Sequence, residues 1–121
     1  TATLLGFRDA FPDKRIVVAF QPHLFTRTRD QHEAFGGAFA NCDVLLATDI
    51  YPAREKPIEG VTGALVSDSA TARGHRDARF VGDQMNLLPI LKKELREGDV
   101  VVLMGAGSIY KLGSKILEEC L

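Results

Sequence analysis

Short, fully apolar runs alternate along this chain with segments whose apolar residues recur at helical spacing. Ile16-Val17-Val18-Ala19-Phe20, Asp43-Val44-Leu45-Leu46-Ala47-Thr48-Asp49 and Val100-Val101-Val102-Leu103-Met104 are hydrophobic at nearly every position. A strand that is apolar at consecutive positions must bury both faces, as parallel strands do when helices cover the sheet on either side. The runs predict strands over 15–21, 43–49 and 100–104, and Ala78-Arg79-Phe80-Val81 predicts a shorter one. Between them, Ala34, Phe35, Ala38 and Phe39 mark one face of a helix over 28–41. Gly36 and Gly37 weaken that helix by about 1 kcal/mol each relative to Ala, and a close approach to the sheet would explain them. Ala64, Leu65, Val66 and Ala70 predict a helix from Thr62 or Gly63 to about Arg73, stopped by Gly74-His75. Leu87, Leu88, Ile90, Leu91 and Leu95 predict another, capped by Asp83 or Asn86. Its start falls near Asn86, because Pro89 is tolerated only in a first turn. A final helix carries Ile109, Leu112, Ile116, Leu117 and Cys120 inward, and a short first one carries Leu4, Leu5, Phe7 and Phe11 before Pro12 ends it.

This alternation predicts an α/β domain with a mostly parallel sheet, right-handed crossovers and helices on both faces. One stretch fits no regular element. Residues 50–61 are rich in proline and charge, and a loop that long in a compact domain is often functional.

Composition narrows the class. The 121 residues suit one domain spanning 1–121, and 45% hydrophobic residues suffice for a core. Fifteen basic and 16 acidic residues are mixed along the chain, giving a formal charge of −1. Nucleic acid and membrane surfaces are therefore not the expected partners. No apolar run approaches the roughly 18 residues needed to span a bilayer. Leu4 and Leu5 give way at once to Arg8 and Asp9, so no signal peptide is visible. Cys42 and Cys120 are isolated and lack metal-ligand spacing, which predicts reduced core thiols in a cytoplasmic protein. The chain opens without Met, reads as beginning inside a helix, and is expected to be a segment of a longer polypeptide.

Candidate chemistry gathers after the first strand. Gln21-Pro22-His23-Leu24-Phe25-Thr26-Arg27-Thr28-Arg29-Asp30 places one histidine and two arginines in a strand-to-helix crossover. Ligands of open α/β sheets bind outside the carboxyl ends of the strands, where such crossovers lie. Backbone N–H groups at the helix start and the arginine fork both favour an anion. The same residues also fit a solvated loop in which Arg29 pairs with Asp30 or Glu33. Asp49 ends the next strand at the same edge, and Arg54-Glu55-Lys56 follow in the long loop, where a solvated charge run is the plainer reading. His32 and His75 read as a surface and a structural residue. Gly105-Ala106-Gly107 joins a strand to a helix, but it fails the G-x-G-x-x-G dinucleotide test at Tyr110 and lies on the last strand. It reads instead as a tight turn that lets backbone approach a ligand, or as turn geometry alone. No P-loop, zinc motif or nucleophile elbow occurs.

Three of these motifs together resemble a known family. Gln21-Pro22-His23 with Thr26-Arg27-Thr28 is similar to the crossover of the UDP-N-acetylmuramate–L-alanine ligases, a branch of the Mur ligases. Tyr51-Pro52-Ala53-Arg54-Glu55-Lys56-Pro57-Ile58-Glu59-Gly60-Val61 resembles their long loop, and Gly105-Ala106-Gly107-Ser108-Ile109 their last turn. The resemblance covers essentially the whole chain and is to the C-terminal domain only. It implies a Rossmann-like three-layer domain that closes over the site and helps hold the incoming amino acid. It further implies an ATP-dependent ligase of peptidoglycan precursor synthesis, working through an acyl phosphate on UDP-N-acetylmuramate. ATP and Mg would be held mainly by a central domain, the UDP-sugar by an N-terminal one, and neither domain is in this chain.

The resemblance assigns His23 and Arg27 to the amino acid or phosphoryl group. Asp49, Tyr51 and Glu55 would line the amino-acid side, with Gly105, Ala106, Gly107 and Ser108 nearby. Leu24 stands where some members carry arginine and Arg54 where others carry glycine. No complete catalytic set and no metal site is expected here, so the chain alone should not turn over. Two alternatives stay open: the recycling ligase that attaches a murein tripeptide to the same sugar, and a non-catalytic α/β binding module. A receiver-like module would want acids where the first strand ends in Gln-Pro-His.

Overall fold

Ile16–Gln21 (β1) is buried at every position but Phe20, and the fold is built outward from it. The computed structural model describes residues 8–105 and 108–120. Most of the expected first helix lies outside the described residues; Arg8 to Ala10 are helical. The order then runs β1, α1 (Phe25–Ala38), β2 (Val44–Thr48), α2 (Ala64–Ala72), β3 (Ala78–Gly82), a 3₁₀ turn (Gln84–Asn86), α3 (Leu87–Glu94), β4 (Val100–Gly105), a second 3₁₀ turn (Ser108–Leu112) and α4 (Gly113–Cys120).

The four strands form one parallel sheet in the order β3-β2-β1-β4. β1 is central, in register with β2 (Val17 with Val44) and with β4 (Ile16 with Val100, Gln21 with Gly105). Strand side chains alternate between faces, so β1 feeds two cores. Ile16 and Val18 join Leu45, Ala47, Phe39, Val66 and Ala70 beneath α1 and α2. Val17 and Ala19 join Leu46, Leu87, Leu91, Ile109, Leu112 and Ile116 beneath α3 and α4. Each large aliphatic side chain fully buried in this way contributes about 1.5–3 kcal/mol. Phe20 packs on Phe35 and Phe39, with ring centroids 5.5 and 5.0 Å away.

Two details differ from the sequence expectation. α1 begins at Phe25, three residues before the expected start, and Thr28 is an interior residue whose Oγ1 donates to the Leu24 carbonyl. The cap comes from another segment, described below. Gly37 faces the neighbouring helix, not the sheet: a Cβ there would lie 3.0 Å from Nη1 at the flexible end of the Arg73 side chain, on the turn after α2. The expected start near Asn86 holds: a 3₁₀ turn capped by Asp83, whose Oδ1 accepts from Met85 N–H at 2.8 Å, leads into α3, and Pro89 falls in its first turn. The predicted stop of α2 holds: Gly74 adopts φ +95° and the His75 N–H donates to the Ala70 carbonyl.

Candidate functional site

The strand order reverses beside β1. From β1 the chain runs outward through β2 to β3, then returns to place β4 on the other side. The crevice at such a reversal, outside the carboxyl ends of the strands, is the ligand position of open α/β sheets. Three segments reach this edge: the crossover 22–27 after β1, the loop 49–61 after β2, and Gly105 at the end of β4.

The crossover and the long loop are stitched together by backbone. Tyr51 N–H donates to the Pro22 carbonyl at 2.8 Å, and Leu24 N–H donates to the Tyr51 carbonyl at 2.9 Å. This parallel bridge pairs His23 with Tyr51, and their rings stack with centroids 5.9 Å apart and planes 18° from parallel. Leu24 pays for the geometry with φ +69° and ψ 137°, a conformation that a non-glycine residue adopts only when its surroundings enforce it. Its carbonyl accepts from both Thr28 N–H (3.1 Å) and Thr28 Oγ1 (2.8 Å), so both ends of the residue are held.

Glu55 closes the same stitch from the far side of the loop. Its Oε1 accepts from Thr26 N–H at 3.1 Å and its Oε2 from Thr26 Oγ1 at 2.5 Å. α1 has no acidic residue in its own first turn, so Glu55 supplies the anion its dipole favours. The hydrogen bond from the Thr26 hydroxyl, reinforced by the Thr26 and Phe25 N–H groups and by Arg29, holds the Glu55 carboxyl below its ordinary range. Glu55 is thus a cap, not part of a solvated charge run. The helix start expected to be open to a ligand anion already holds a carboxylate of the chain.

Arg27 is exposed in the first turn of α1 and makes no hydrogen bond or ion pair among the described residues. A cation there opposes the helix dipole. Arg29, by contrast, pairs with Asp30 at 2.9 Å, the bland reading of that residue. At the opposite edge of the sheet three arginines are paired: Arg8 with Asp43, Arg15 with Asp99, and Arg79 with Asp77 and Glu94.

The remaining expected site residues are placed as follows. Asp49 is exposed, and its N–H donates to the Gly82 carbonyl at 2.8 Å, tying it toward β3 while Tyr51 faces β1. Gly105 ends β4 against β1, where a Cβ would lie 2.9 Å from the Gln21 carbonyl oxygen. Ala106 and Gly107 lie outside the described residues, and Ser108 opens the second 3₁₀ turn. His32 Nδ1 lies 2.7 Å from Ser69 Oγ, and His75 Nδ1 accepts from Asp77 N–H, so both histidines serve the helix layer and the turn after α2.

Two residues of this edge had no role in the sequence reading. Buried Gln21 accepts from Ile109 N–H through Oε1 (3.3 Å) and donates from Nε2 to Gln84 Oε1 (3.4 Å), joining the crossover to both 3₁₀ turns. Thr26 is the other. The signal for Gln21 was present: an amide at the end of an otherwise apolar strand must find partners.

Residues 1–107 match the family described as Mur ligase, glutamate ligase domain. The chain belongs to the Mur ligase family. Among its relatives are proteins named UDP-N-acetylmuramate–L-alanine ligase from Sorangium cellulosum, 52% identical over 89% of this chain, and from Myxococcus xanthus, 47% identical over 97%. This Mur ligase domain covers 24% and 25% of those two proteins, about a quarter of their length. In fold it is similar to a murein peptide ligase from Psychrobacter arcticus, with a TM-score of 0.76 at 14% identity over 98% of this chain and 24% of that one.

Proposed function

We propose that this chain is the C-terminal, amino-acid-binding domain of a ligase that joins L-alanine to UDP-N-acetylmuramate at the expense of ATP. The exposed Arg27 guanidinium at the reversal point of the sheet, without a partner among the described residues, carries the reading, because it leaves a cation available there to an external anion. The relatives supply the reaction: proteins 52% and 47% identical to this chain bear that name.

In the proposed reaction a muramoyl carboxylate oxygen attacks the γ-phosphorus of ATP and ADP leaves. The neutral amine of L-alanine then attacks the acyl carbon, loses a proton, and phosphate departs as the amide forms. Arg27 holds the α-carboxylate of L-alanine, and the stacked His23–Tyr51 pair forms the wall beside it. Fixing the amine near the acyl carbon is the main contribution such a domain makes, because it converts a bimolecular step into an internal one. Asp49 and the turn 105–108 complete the amino-acid side.

The described residues hold no group of three His, Cys, Asp or Glu side chains fit for a metal, and the sequence has no P-loop. ATP and Mg are accordingly assigned to a central domain of the full-length protein, and the UDP-sugar to an N-terminal one. Those domains are the partners against which this edge would close. No described helix is long and apolar enough to cross a membrane, and the cytoplasm is the proposed location.

Phosphate release by the full-length protein with ATP, magnesium and UDP-N-acetylmuramate tests the reading. Release on adding L-alanine is expected; release only with murein tripeptide would move the assignment to the recycling ligase, and release with neither would leave a binding module.

A further inference from the structure

We propose that Glu55 is a positioning residue for the incoming amino acid, acting through Thr26 and the start of α1 without touching substrate. The inference rests on the ligase reading above. Both carboxylate oxygens are already engaged by Thr26, one through its N–H and one through its hydroxyl. Thr26 is the immediate neighbour of Arg27 in the first turn of α1. The loop between the two stitches is short and turned back on itself. Glu55 N–H donates to the Pro52 carbonyl at 2.8 Å, and Ala53 takes φ +52°. Tyr51 is pinned by the backbone bridge at one end of this turn and Glu55 by the helix start at the other. His23, Tyr51 and Arg27 are therefore held in one frame by two attachments, and only the second depends on a side chain.

Two consequences follow physically. The carboxylate fills the anion-favouring end of α1, so an incoming carboxylate is left with Arg27 and not with the helix N–H groups. It also removes slack from Tyr51–Glu55, and small misplacements of a binding group cost large factors in rate or affinity. Loss of Glu55 would thus weaken L-alanine binding while leaving ATP and UDP-sugar binding, which lie on other domains, unchanged.

A double-mutant cycle in the full-length protein tests this, with KM for each substrate, kcat and melting temperature measured for every variant. Glu55→Ala is expected to raise KM for L-alanine by about ten- to a hundredfold, with KM for ATP and UDP-sugar unchanged. Thr26→Ala should raise it less, because the backbone N–H remains. Adding Thr26→Ala to Glu55→Ala should change little further, since coupled residues are not additive. Glu55→Gln should recover most of the loss, because its amide oxygen can accept from the Thr26 N–H and its amide nitrogen can donate to Thr26 Oγ1. Independent, multiplicative effects of the two alanine variants would mean that Glu55 meets substrate directly and would overturn the proposal. So would equal rises in all three KM values, or a fall in melting temperature with no change in KM. If the unmutated protein releases no phosphate with L-alanine, the ligase reading itself fails, and the positioning role falls with it.

Discussion

Arg27 and Cys42 show how one side chain's surroundings decide its use. Arg27 has no partner among the described residues and sits where the helix dipole opposes it, so its removal should cost the fold little. Arg27→Ala is expected to leave the melting temperature within a degree or two and to raise KM for L-alanine by more than about tenfold, the loss typical of a charged hydrogen bond to substrate. Arg27→Lys should recover only part of it, because an ammonium lacks the planar fork. Unchanged KM in both variants would remove Arg27 from the site. Cys42 is the opposite case. It is 4% exposed, its Sγ donates to the Phe39 carbonyl at 3.2 Å, and burial pushes the thiol up to about 12. The thiolate is the reactive form, so Cys42 should resist maleimide at pH 8 in the native protein and react on unfolding. Peptide mapping after labelling would check this, and rapid native labelling at Cys42 would contradict it.

Elements are placed by contacts that a local pattern does not contain. α1 starts at Phe25, where Glu55, some thirty residues later, caps it; the local helical pattern placed the start near Thr28. α2 is positioned by Gly63, where a Cβ would lie 1.9 Å from the Thr48 carbonyl oxygen at the end of β2. That neighbour is backbone and cannot swing aside. Gly63→Ala is therefore expected to destabilise the domain by about 3 kcal/mol, at the upper end of overpacking costs, visible as a lowered urea midpoint. A loss under about 0.5 kcal/mol, the range of neutral surface changes, would show that α2 and β2 are less tightly apposed. The apolar runs, by contrast, identified β1, β2 and β4 within a residue or so of their observed ends. Burial on both faces leaves a strand no polar alternation and hence no ambiguity about what covers it.

At the scale of the whole molecule, the two edges of the sheet differ in how their charges are held. The carboxyl edge carries Arg27, without a partner among the described residues, and the stitched loops, whereas the amino edge carries the paired Arg8, Arg15 and Arg79. Asp99 is central to the support. It accepts from Arg15 Nη2 at 2.6 Å and from Arg96 N–H at 2.8 Å, while Arg15 also reaches the Glu94 carbonyl at 2.8 Å, joining β1, α3 and the turn before β4. Burial pushes the Asp99 carboxyl up, but the Arg15 hydrogen bond, the Arg96 N–H and the charges of both arginines together hold it below the ordinary value. Its contribution is thus complete above the unfolded value of about 3.9 and is lost as pH falls through the folded value. Asp99→Asn should cost roughly 2 kcal/mol at neutral pH, in line with charged hydrogen bonds. The gap from the unmutated protein should narrow below about pH 4. A gap that is constant with pH would exclude the ion pair as its source.

The sequence by itself determined the class of fold, the strands, and the three motifs that the fold gathers at one edge of the sheet. Those features depend on local periodicity and on residue types brought together within one crossover or one loop. It did not determine which charged groups were available to a ligand. Arg54-Glu55-Lys56 read as one solvated run and the start of α1 as an open anion site, yet the fold spends Glu55 on that helix and leaves Arg27 free. Nor did the sequence show that Gln21 would bind across to Ile109, or that Leu24 would be held at φ +69°. Pairing between residues thirty or ninety positions apart is decided by strand order and register, because only the assembled sheet brings their polar atoms within hydrogen-bonding distance.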